Sequence, residues 1–187
     1  MPEFCSAACK LALGTNSVAL QENRAAGVQT LSGTGALRLA ADFLFNFFGG
    51  TETTIFYSKP TWGNHIDIYK RAGFTKLQPY SYWNDGLMAA DVNQFIEDLK
   101  NAPNRSVILF HACAHNPTGA DPSQDDWKKL ADVCEQKEHF PIFDTAYQVS
   151  FSNQLSIFQC EIQMIFIIFI FGFRVLHPEV QKMTPGV

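Results

Sequence analysis

The chain has 187 residues, a net charge of −4 and five cysteines at irregular spacing. This length is sufficient for one domain with a sizeable core, and the negative charge provides no basic field that would bind nucleic acid. An odd number of irregularly spaced cysteines does not indicate a disulfide framework, so a reducing compartment is expected.

Hydrophobic periodicity predicts helices that alternate with strands along the chain. Helices are predicted near 36–48, 64–72, 88–100 and 123–137, and extended segments near 54–58, 74–79, 106–112 and 140–144. Ser123, followed three residues later by Asp126, marks the start of the last helix. Strands separated by helices indicate an α/β fold, with a mainly parallel sheet that carries helices on both faces.

Three polar clusters follow apolar or extended runs. Residues 32–37 (SGTGAL) lead directly into a predicted helix, so free N–H groups and the positive end of the helix dipole predict an anion site there. Residues 111–119 (HACAHNPTG) and 143–148 (FDTAYQ) follow predicted strands. Polar groups at the carboxyl ends of parallel strands are where open α/β sheets bind ligands.

Together with residues 59–65 (KPTWGNH), these clusters resemble the motifs of the aspartate aminotransferases of the pyridoxal-phosphate (PLP) fold-type I superfamily. The resemblance implies a partial PLP-binding large domain at 11–148, followed by an unrelated tail at 149–187. Intact relatives transfer an amino group between L-aspartate and 2-oxoglutarate with pyridoxal 5′-phosphate, and they work as homodimers. Residues 32–34 and 59–65 are more similar to the mitochondrial branch, which implies a mitochondrial location, with the cytoplasm as the alternative.

The resemblance assigns Asp144 to the ring nitrogen of PLP, where a carboxylate keeps that nitrogen protonated. Asn116 and Tyr147 match the residues that form hydrogen bonds with the phenolic oxygen of the cofactor. Taken alone, Asp144 is also typical of a helix N-cap or a solvated turn, and residues 116–119 (NPTG) form a good turn sequence. The peptide before Pro117 is a candidate for the cis form.

Three further parts of the site follow from the same resemblance. Trp62 matches the aromatic ring that lies against the pyridine face, and a buried core tryptophan is the ordinary alternative. His65 matches the imidazole that orients Asp144, although a histidine at a helix start is otherwise expected at the surface. The resemblance assigns phosphate binding to Ser32, Gly33 and Thr34. The alternative is that these residues form a simple capping turn.

A metal site is a competing interpretation of one segment. His111, Cys113 and His115 alternate, so on an extended segment their side chains point the same way and could ligate Zn²⁺. The sequence offers no evident fourth ligand nearby, and the spacing matches no common structural zinc pattern. No metal is therefore predicted.

The resemblance ends at Gln148, and the residues that perform the chemistry have no counterpart in this sequence. The family binds its cofactor covalently through a lysine in a Ser-x-x-Lys setting, whereas Lys182 is the only lysine after Gln148 and lacks that setting. The arginines that bind the substrate carboxylates also have no match. We therefore expect this chain to be inactive. The alternative is a noncatalytic fragment that associates with a full-length aminotransferase subunit.

Two segments bear on membranes and targeting. Residues 164–173 form an apolar run of ten residues, about half of what a bilayer requires, so no membrane span is predicted. This run is expected to lie against uncovered parts of the sheet and helices, or to drive association. Residues 1–5 have neither a basic start nor an apolar run, so no targeting segment is expected in this chain.

Overall fold

The computed structural model of this chain describes residues 2–147 and 167–168. Its helices are α1 (Pro2–Leu13), α2 (Val18–Gln21), α3 (Ser32–Phe47), α4 (Gly63–Ala72), α5 (Val92–Asn101) and α6 (Gln124–Gln136), with a 3-10 helix at Gly50–Glu52. Its strands are β1 (Thr54–Lys59), β2 (Lys76–Ser81), β3 (Trp83–Asn84), β4 (Ala89–Ala90), β5 (Val107–His111), β6 (Phe140–Asp144) and β7 (Ile167–Ile168).

Five strands form one sheet in the order β2-β1-β5-β6-β7. The first four of these run parallel, and β7 pairs antiparallel with β6. Strands β3 and β4 form a separate antiparallel pair. The predicted α/β class with a mainly parallel sheet is confirmed.

Helices cover both faces of this sheet. Consecutive residues of the central strands point to opposite faces, so each of these strands contributes to two cores. In β5, Val107 and Leu109 join a core with residues of α3 and α4, whereas Ile108 and Phe110 join a core with residues of α5 and α6. All four of these strand residues are 2% exposed or less. A strand that is buried on both faces reads as a continuous apolar run, which is how residues 107–110 appear in the sequence.

The order of the strands creates a switch point between β1 and β5. From β1 the chain passes through α4 to β2 on one side, and from β5 it passes through α6 to β6 on the other side. Right-handed crossovers in opposite directions place α4 and α6 on opposite faces. The loops that follow β1 and β5 therefore diverge and leave a crevice at the carboxyl edge of the sheet.

Most predicted elements are confirmed to within a few residues, and α6 has its capping box. The side chain of Ser123 accepts from the Asp126 amide, and the Asp126 carboxylate accepts from the Ser123 amide. Helix α3 differs, because it begins at Ser32 and not near residue 36. Serine, glycine and threonine disfavour a helix interior, but the first turn accommodates them because its N–H groups have no intrahelical partner.

Three further elements differ from the prediction. Helices α1 and α2 were not predicted, and the helix predicted from residue 88 begins at Val92. The preceding residues instead form the β3–β4 hairpin, in which the Asn84 side chain accepts from the Gly86 and Leu87 amides. Asp91 then caps α5 by accepting from the Gln94 amide.

The tail lies mostly outside the described residues, and so does Lys182. Of the apolar run at 164–173, the described part is Ile167–Ile168, which pairs with Phe143 and Asp144 at the β6 edge. The domain boundary after Gln148 stays a prediction. Within residues 2–147 and 167–168, no helix has the length and apolar character that crossing a bilayer requires.

Candidate functional site

An open pocket of about 230 Å³ lies at the switch point of the sheet. This volume is many times the roughly 30 Å³ that one water occupies in the liquid, so the pocket can accommodate a ring-sized molecule. The last residues of β5 and β6 and the loops after β1, β5 and β6 supply its lining residues, which are Trp62, His111, Cys113, Asn116, Asp144, Ala146 and Tyr147. The structure thus brings together four residues that the sequence assigned to one site: Trp62, Asn116, Asp144 and Tyr147.

Asp144 is the buried carboxylate of this pocket. Its Oδ2 lies 2.8 Å from Nε2 of His65, and His65 is fully buried on α4. Its other oxygen, Oδ1, is also buried and has no hydrogen-bond partner among the described residues. A buried carboxylate oxygen without a partner is costly, so Oδ1 is a site where a donor on a ligand would be stabilised.

A chain of hydrogen bonds behind the pocket determines which nitrogen of His65 carries the hydrogen. The Asn116 amide donates to Nδ1 of His111 at 3.3 Å. Burial and two neighbouring imidazoles lower the pKa of His111 to about 2, so this side chain is neutral and its hydrogen is on Nε2. Nε2 of His111 lies 3.2 Å from Oγ1 of Thr61 and donates to it. The Thr61 hydroxyl in turn donates to Nδ1 of His65, and these two atoms are 2.9 Å apart. His65 therefore donates from Nε2 to Asp144.

The loop that carries Asn116 is held by a second carboxylate. Both oxygens of Asp121 accept backbone hydrogen bonds, at 2.7 Å from the Ala114 amide and at 2.9 Å from the His115 amide. Ala114 has a φ of 49°, a left-handed conformation that costs free energy for a residue with a side chain. The Asn116–Pro117 peptide is cis, which confirms that prediction.

His115 is a structural neighbour of the pocket. Its Nε2 lies 2.8 Å from Oγ of Ser58, and its Nδ1 lies 2.9 Å from Oγ1 of Thr118. The ring stacks on Tyr82 with centroids 3.8 Å apart. Burial lowers the pKa of His115 to about 4, so the imidazole is neutral at pH 7.

The zinc interpretation of this segment finds no support in residues 2–147 and 167–168, where no group of three or more His, Cys, Asp and Glu side chains is arranged to hold a metal ion. His111 and His115 each use both ring nitrogens in hydrogen bonds within the protein. Burial raises the pKa of Cys113, which keeps its thiol protonated.

Sequence reasoning missed the structural roles of Thr61 and His111. The alternation of the 111–115 segment was a usable signal, because it indicated that His111 and Cys113 share a direction, and both do line the pocket. No signal linked Thr61 to His111, because the contact joins residues 50 positions apart.

Ser32, Gly33 and Thr34 form the first turn of α3 and are not among the residues that line the pocket. Helix α3 ends at Phe47, shortly before β1 begins at Thr54, so its last turn lies near the amino edge of the sheet. Residues along its length pack on the same face as α4. The helix therefore runs back across the sheet, and its first turn is directed to the carboxyl edge, where the pocket opens.

Comparison with known proteins identifies the family. Residues 1–169 match the family described as aminotransferase class I and II. The chain belongs to this family. The match extends beyond Gln148, where the sequence motifs end. Two curated relatives are both named cytoplasmic aspartate aminotransferase: one from Caenorhabditis elegans, 48% identical over 145 residues, and one from Gallus gallus, 42% identical over 158 residues.

This aminotransferase-family chain also resembles solved structures. Cytoplasmic aspartate aminotransferase from Saccharomyces cerevisiae is 42% identical, with a TM-score of 0.71 over 76% of the chain. A mitochondrial aspartate aminotransferase from Trypanosoma brucei is 42% identical, with a TM-score of 0.73 over 77%. An aromatic-amino-acid aminotransferase from Burkholderia pseudomallei, covalently bound to pyridoxal phosphate, is 29% identical, with a TM-score of 0.75 over 79%.

The chain spans only about a third of the length of these proteins. It covers 35% and 38% of the two curated relatives, and 34%, 37% and 36% of the three solved chains. The relatives include proteins named for both compartments, so the resemblance to the mitochondrial branch is not confirmed.

Proposed function

We propose that this chain is a PLP-binding portion of an aspartate aminotransferase, and that its pocket holds the pyridine ring of the cofactor. The observation that carries the proposal is the state of Asp144, which lines the pocket. One of its oxygens is fixed by His65, and the other is buried and unpartnered among the described residues. A protonated ring nitrogen is a donor of the required kind. The residues present therefore fit the cofactor that the family implies.

Bound PLP supplies an electron sink for reactions at the α-carbon of an amino acid. Asp144 would hold the proton on the ring nitrogen, because its negative charge stabilises the protonated form. Trp62 would offer a flat apolar face to the pyridine ring. The Trp62 ring packs edge-to-face with the His65 ring, and their centroids are 5.4 Å apart. Asn116 and Tyr147, which also line the pocket, would bind the phenolic oxygen.

The first turn of α3 would bind the phosphate. Helix α3 has 16 residues, and no acidic residue lies in its first turn. The free N–H groups there, the hydroxyls of Ser32 and Thr34 and the helix dipole all favour an anion. Gly33 is buried within this turn.

The proposal extends to the substrates and assembly of the intact protein. The names of the relatives support aspartate as the amino-acid substrate. A 2-oxo acid is the amino acceptor expected of an aminotransferase, and a homodimer is the assembly that the family resemblance implies. The two curated relatives named cytoplasmic favour the cytoplasmic alternative. The purified chain itself is expected to show no transamination above the background of PLP alone, because none of its lysines has the required setting.

The decisive experiment measures noncovalent binding of pyridoxamine 5′-phosphate to the purified chain. This form of the cofactor carries an amine, so it cannot react with surface lysines, and calorimetry then reports the pocket alone. We expect saturable binding at one site, weakened at least tenfold by Asp144→Ala. Asp125→Ala is the matched control, because Asp125 is an exposed acid paired with Lys128 on α6.

Two results would overturn the proposal. The first is no saturable binding by a chain whose circular dichroism and cooperative unfolding show that it is folded. The second is equal affinity in the wild type and Asp144→Ala, which would place any bound ligand elsewhere.

A further inference from the structure

Tyr69 is a second buried polar group that lacks a partner. It lies on α4 and is 1% exposed, and its hydroxyl has no direct hydrogen-bond partner among the described residues. A buried hydroxyl without a partner costs free energy, and such groups in folded proteins usually bind ordered water or a nearby polar group. The sequence alone gave no reason to single out this tyrosine.

The geometry of α4 and β6 directs the Tyr69 phenol toward Asp144. Tyr69 follows His65 by one helical turn, so both side chains lie on the same face of α4, and helical side chains point back toward the N-terminus. On the strand, Ile142 and Asp144 alternate and therefore point to the same face of the sheet. Tyr69 and Ile142 belong to the same buried core cluster. The phenol thus rises from this cluster toward the level at which His65 meets Asp144.

The chemistry of the two groups is complementary. Burial, and to a smaller extent the negative charge of Asp144, raise the pKa of the Tyr69 phenol well above its ordinary value, so the hydroxyl remains a donor. Asp144 has one oxygen without any partner, and its other oxygen receives one hydrogen bond from His65. A carboxylate accepts up to four hydrogen bonds, so capacity remains even when a ligand occupies Oδ1.

We propose that Tyr69 is a positioning residue for Asp144, whose hydroxyl donates to the carboxylate through one bridging water from beneath the pocket. His65 and Tyr69 would then hold the carboxylate from two adjacent turns of α4. This contact exists without any ligand. Its importance for cofactor binding rests on the proposed function.

A double-mutant cycle tests the contact through the stability of the ligand-free chain. We expect Tyr69→Phe to lower the equilibrium constant for folding about tenfold, or about 1.4 kcal/mol, in the wild type. In an Asp144→Ala background the same substitution should change it less than twofold. Tyr80→Phe is the matched control, because the Tyr80 hydroxyl donates to the Leu109 carbonyl and should cost the same in both backgrounds.

If the Tyr69 hydroxyl has no partner, its removal relieves the free-energy cost of burying an unpaired hydroxyl. Tyr69→Phe would then be neutral or stabilising in both backgrounds, and this outcome would overturn the proposal. If Asp144→Ala does not fold, the Raman difference spectrum between the wild type and Tyr69→Phe decides. Its tyrosine doublet should show a phenol that donates a hydrogen bond, and a doublet typical of a free phenol would refute the contact.

Binding of pyridoxamine 5′-phosphate separates this inference from the proposed function. If both hold, Tyr69→Phe weakens binding several-fold, whereas Tyr80→Phe leaves it unchanged. If the cycle shows coupling and the ligand fails to bind any folded variant, the contact stands and the proposed function fails. If the ligand binds and the cycle shows no coupling, the positioning role of Tyr69 fails alone.

Discussion

His65 and Asp144 are 79 positions apart in the chain, and their buried side chains meet at 2.8 Å. Helix α4 presents the imidazole, and the carboxyl end of β6 presents the carboxylate. The hydrogen-bond chain from the Asn116 amide determines that the imidazole donates. The orientation of the pocket carboxylate thus depends on three separate segments of the sequence.

Removing this imidazole should destabilise the chain strongly. His65→Ala leaves the Asp144 carboxylate buried without its direct hydrogen-bond partner, which typically costs about 3–5 kcal/mol. Urea unfolding at pH 7 measures the loss. His139→Ala is the control, because His139 is also buried but forms its hydrogen bond with the neutral carbonyl of Leu99. Equal losses in the two variants would show that the cost is that of a cavity and not of an unpaired carboxylate.

The sequence predicted those parts of the fold that local patterns determine. The apolar run of β5 and the Ser123 and Asp126 pair of α6 were sufficient to place these elements. The start of α3 was predicted too late, because Ser32 and Gly33 disfavour helices only in their interiors. The β3–β4 hairpin was missed, because each of its strands has two residues and carries no periodic signal.

The site was predictable only in part, for a related reason. Asp144 ends a strand, and Trp62 and Asn116 follow strands, so their position at one edge of the sheet follows from an α/β order. Local pattern would place His65 on a surface, but the packing of α4 against its neighbours buries it, with contacts to Trp62, His111 and Asp144. The role of Tyr69 depends on the same packing.

The stability of the folded chain should fall in mild acid. The pKa of His115 is about 6.5 in the unfolded chain and about 4 in the folded chain, so the unfolded chain binds more protons between these values. The contribution of His115 is therefore complete above pH 6.5, decreases as the pH falls toward 4 and is constant below. Between pH 7 and pH 5 the loss is roughly 2 kcal/mol.

Urea unfolding at pH 7 and pH 5 checks this dependence in the wild type and in His115→Gln. Glutamine does not titrate, so we expect the variant to lose less stability between the two pH values, by about the amount assigned to His115. Burial also lowers the pKa of His111, so part of the dependence should remain in the variant. An identical loss in both proteins would contradict the prediction.

Trp62 should contribute to cofactor affinity through its ring. Aromatic pairs add about 0.5–1.5 kcal/mol beyond the burial of area, so Trp62→Ala should weaken binding of pyridoxamine 5′-phosphate roughly tenfold, and Trp62→Phe should weaken it less. Calorimetry measures both. Trp83→Ala is the control, because Trp83 lies on the β3–β4 hairpin, where its ring nitrogen donates to Asp85. A larger loss from the Trp83 variant would argue against a ring bound at Trp62.

Asp121 holds the loop that carries Asn116, so replacing it should affect both the fold and the pocket. Both of its oxygens accept from amides, so Asp121→Asn can retain only one of the two hydrogen bonds and removes the negative charge. The released loop would no longer force Ala114 into its left-handed conformation, and Asn116 would lose its fixed position in the pocket. We expect the free energy of unfolding, measured in urea, to fall by about 1–3 kcal/mol, together with weaker binding of pyridoxamine 5′-phosphate.

Asp125→Asn, on the exposed side of α6, is the control and should change neither the free energy of unfolding nor the affinity. Lower stability with full affinity would show that Asp121 supports the fold without positioning Asn116.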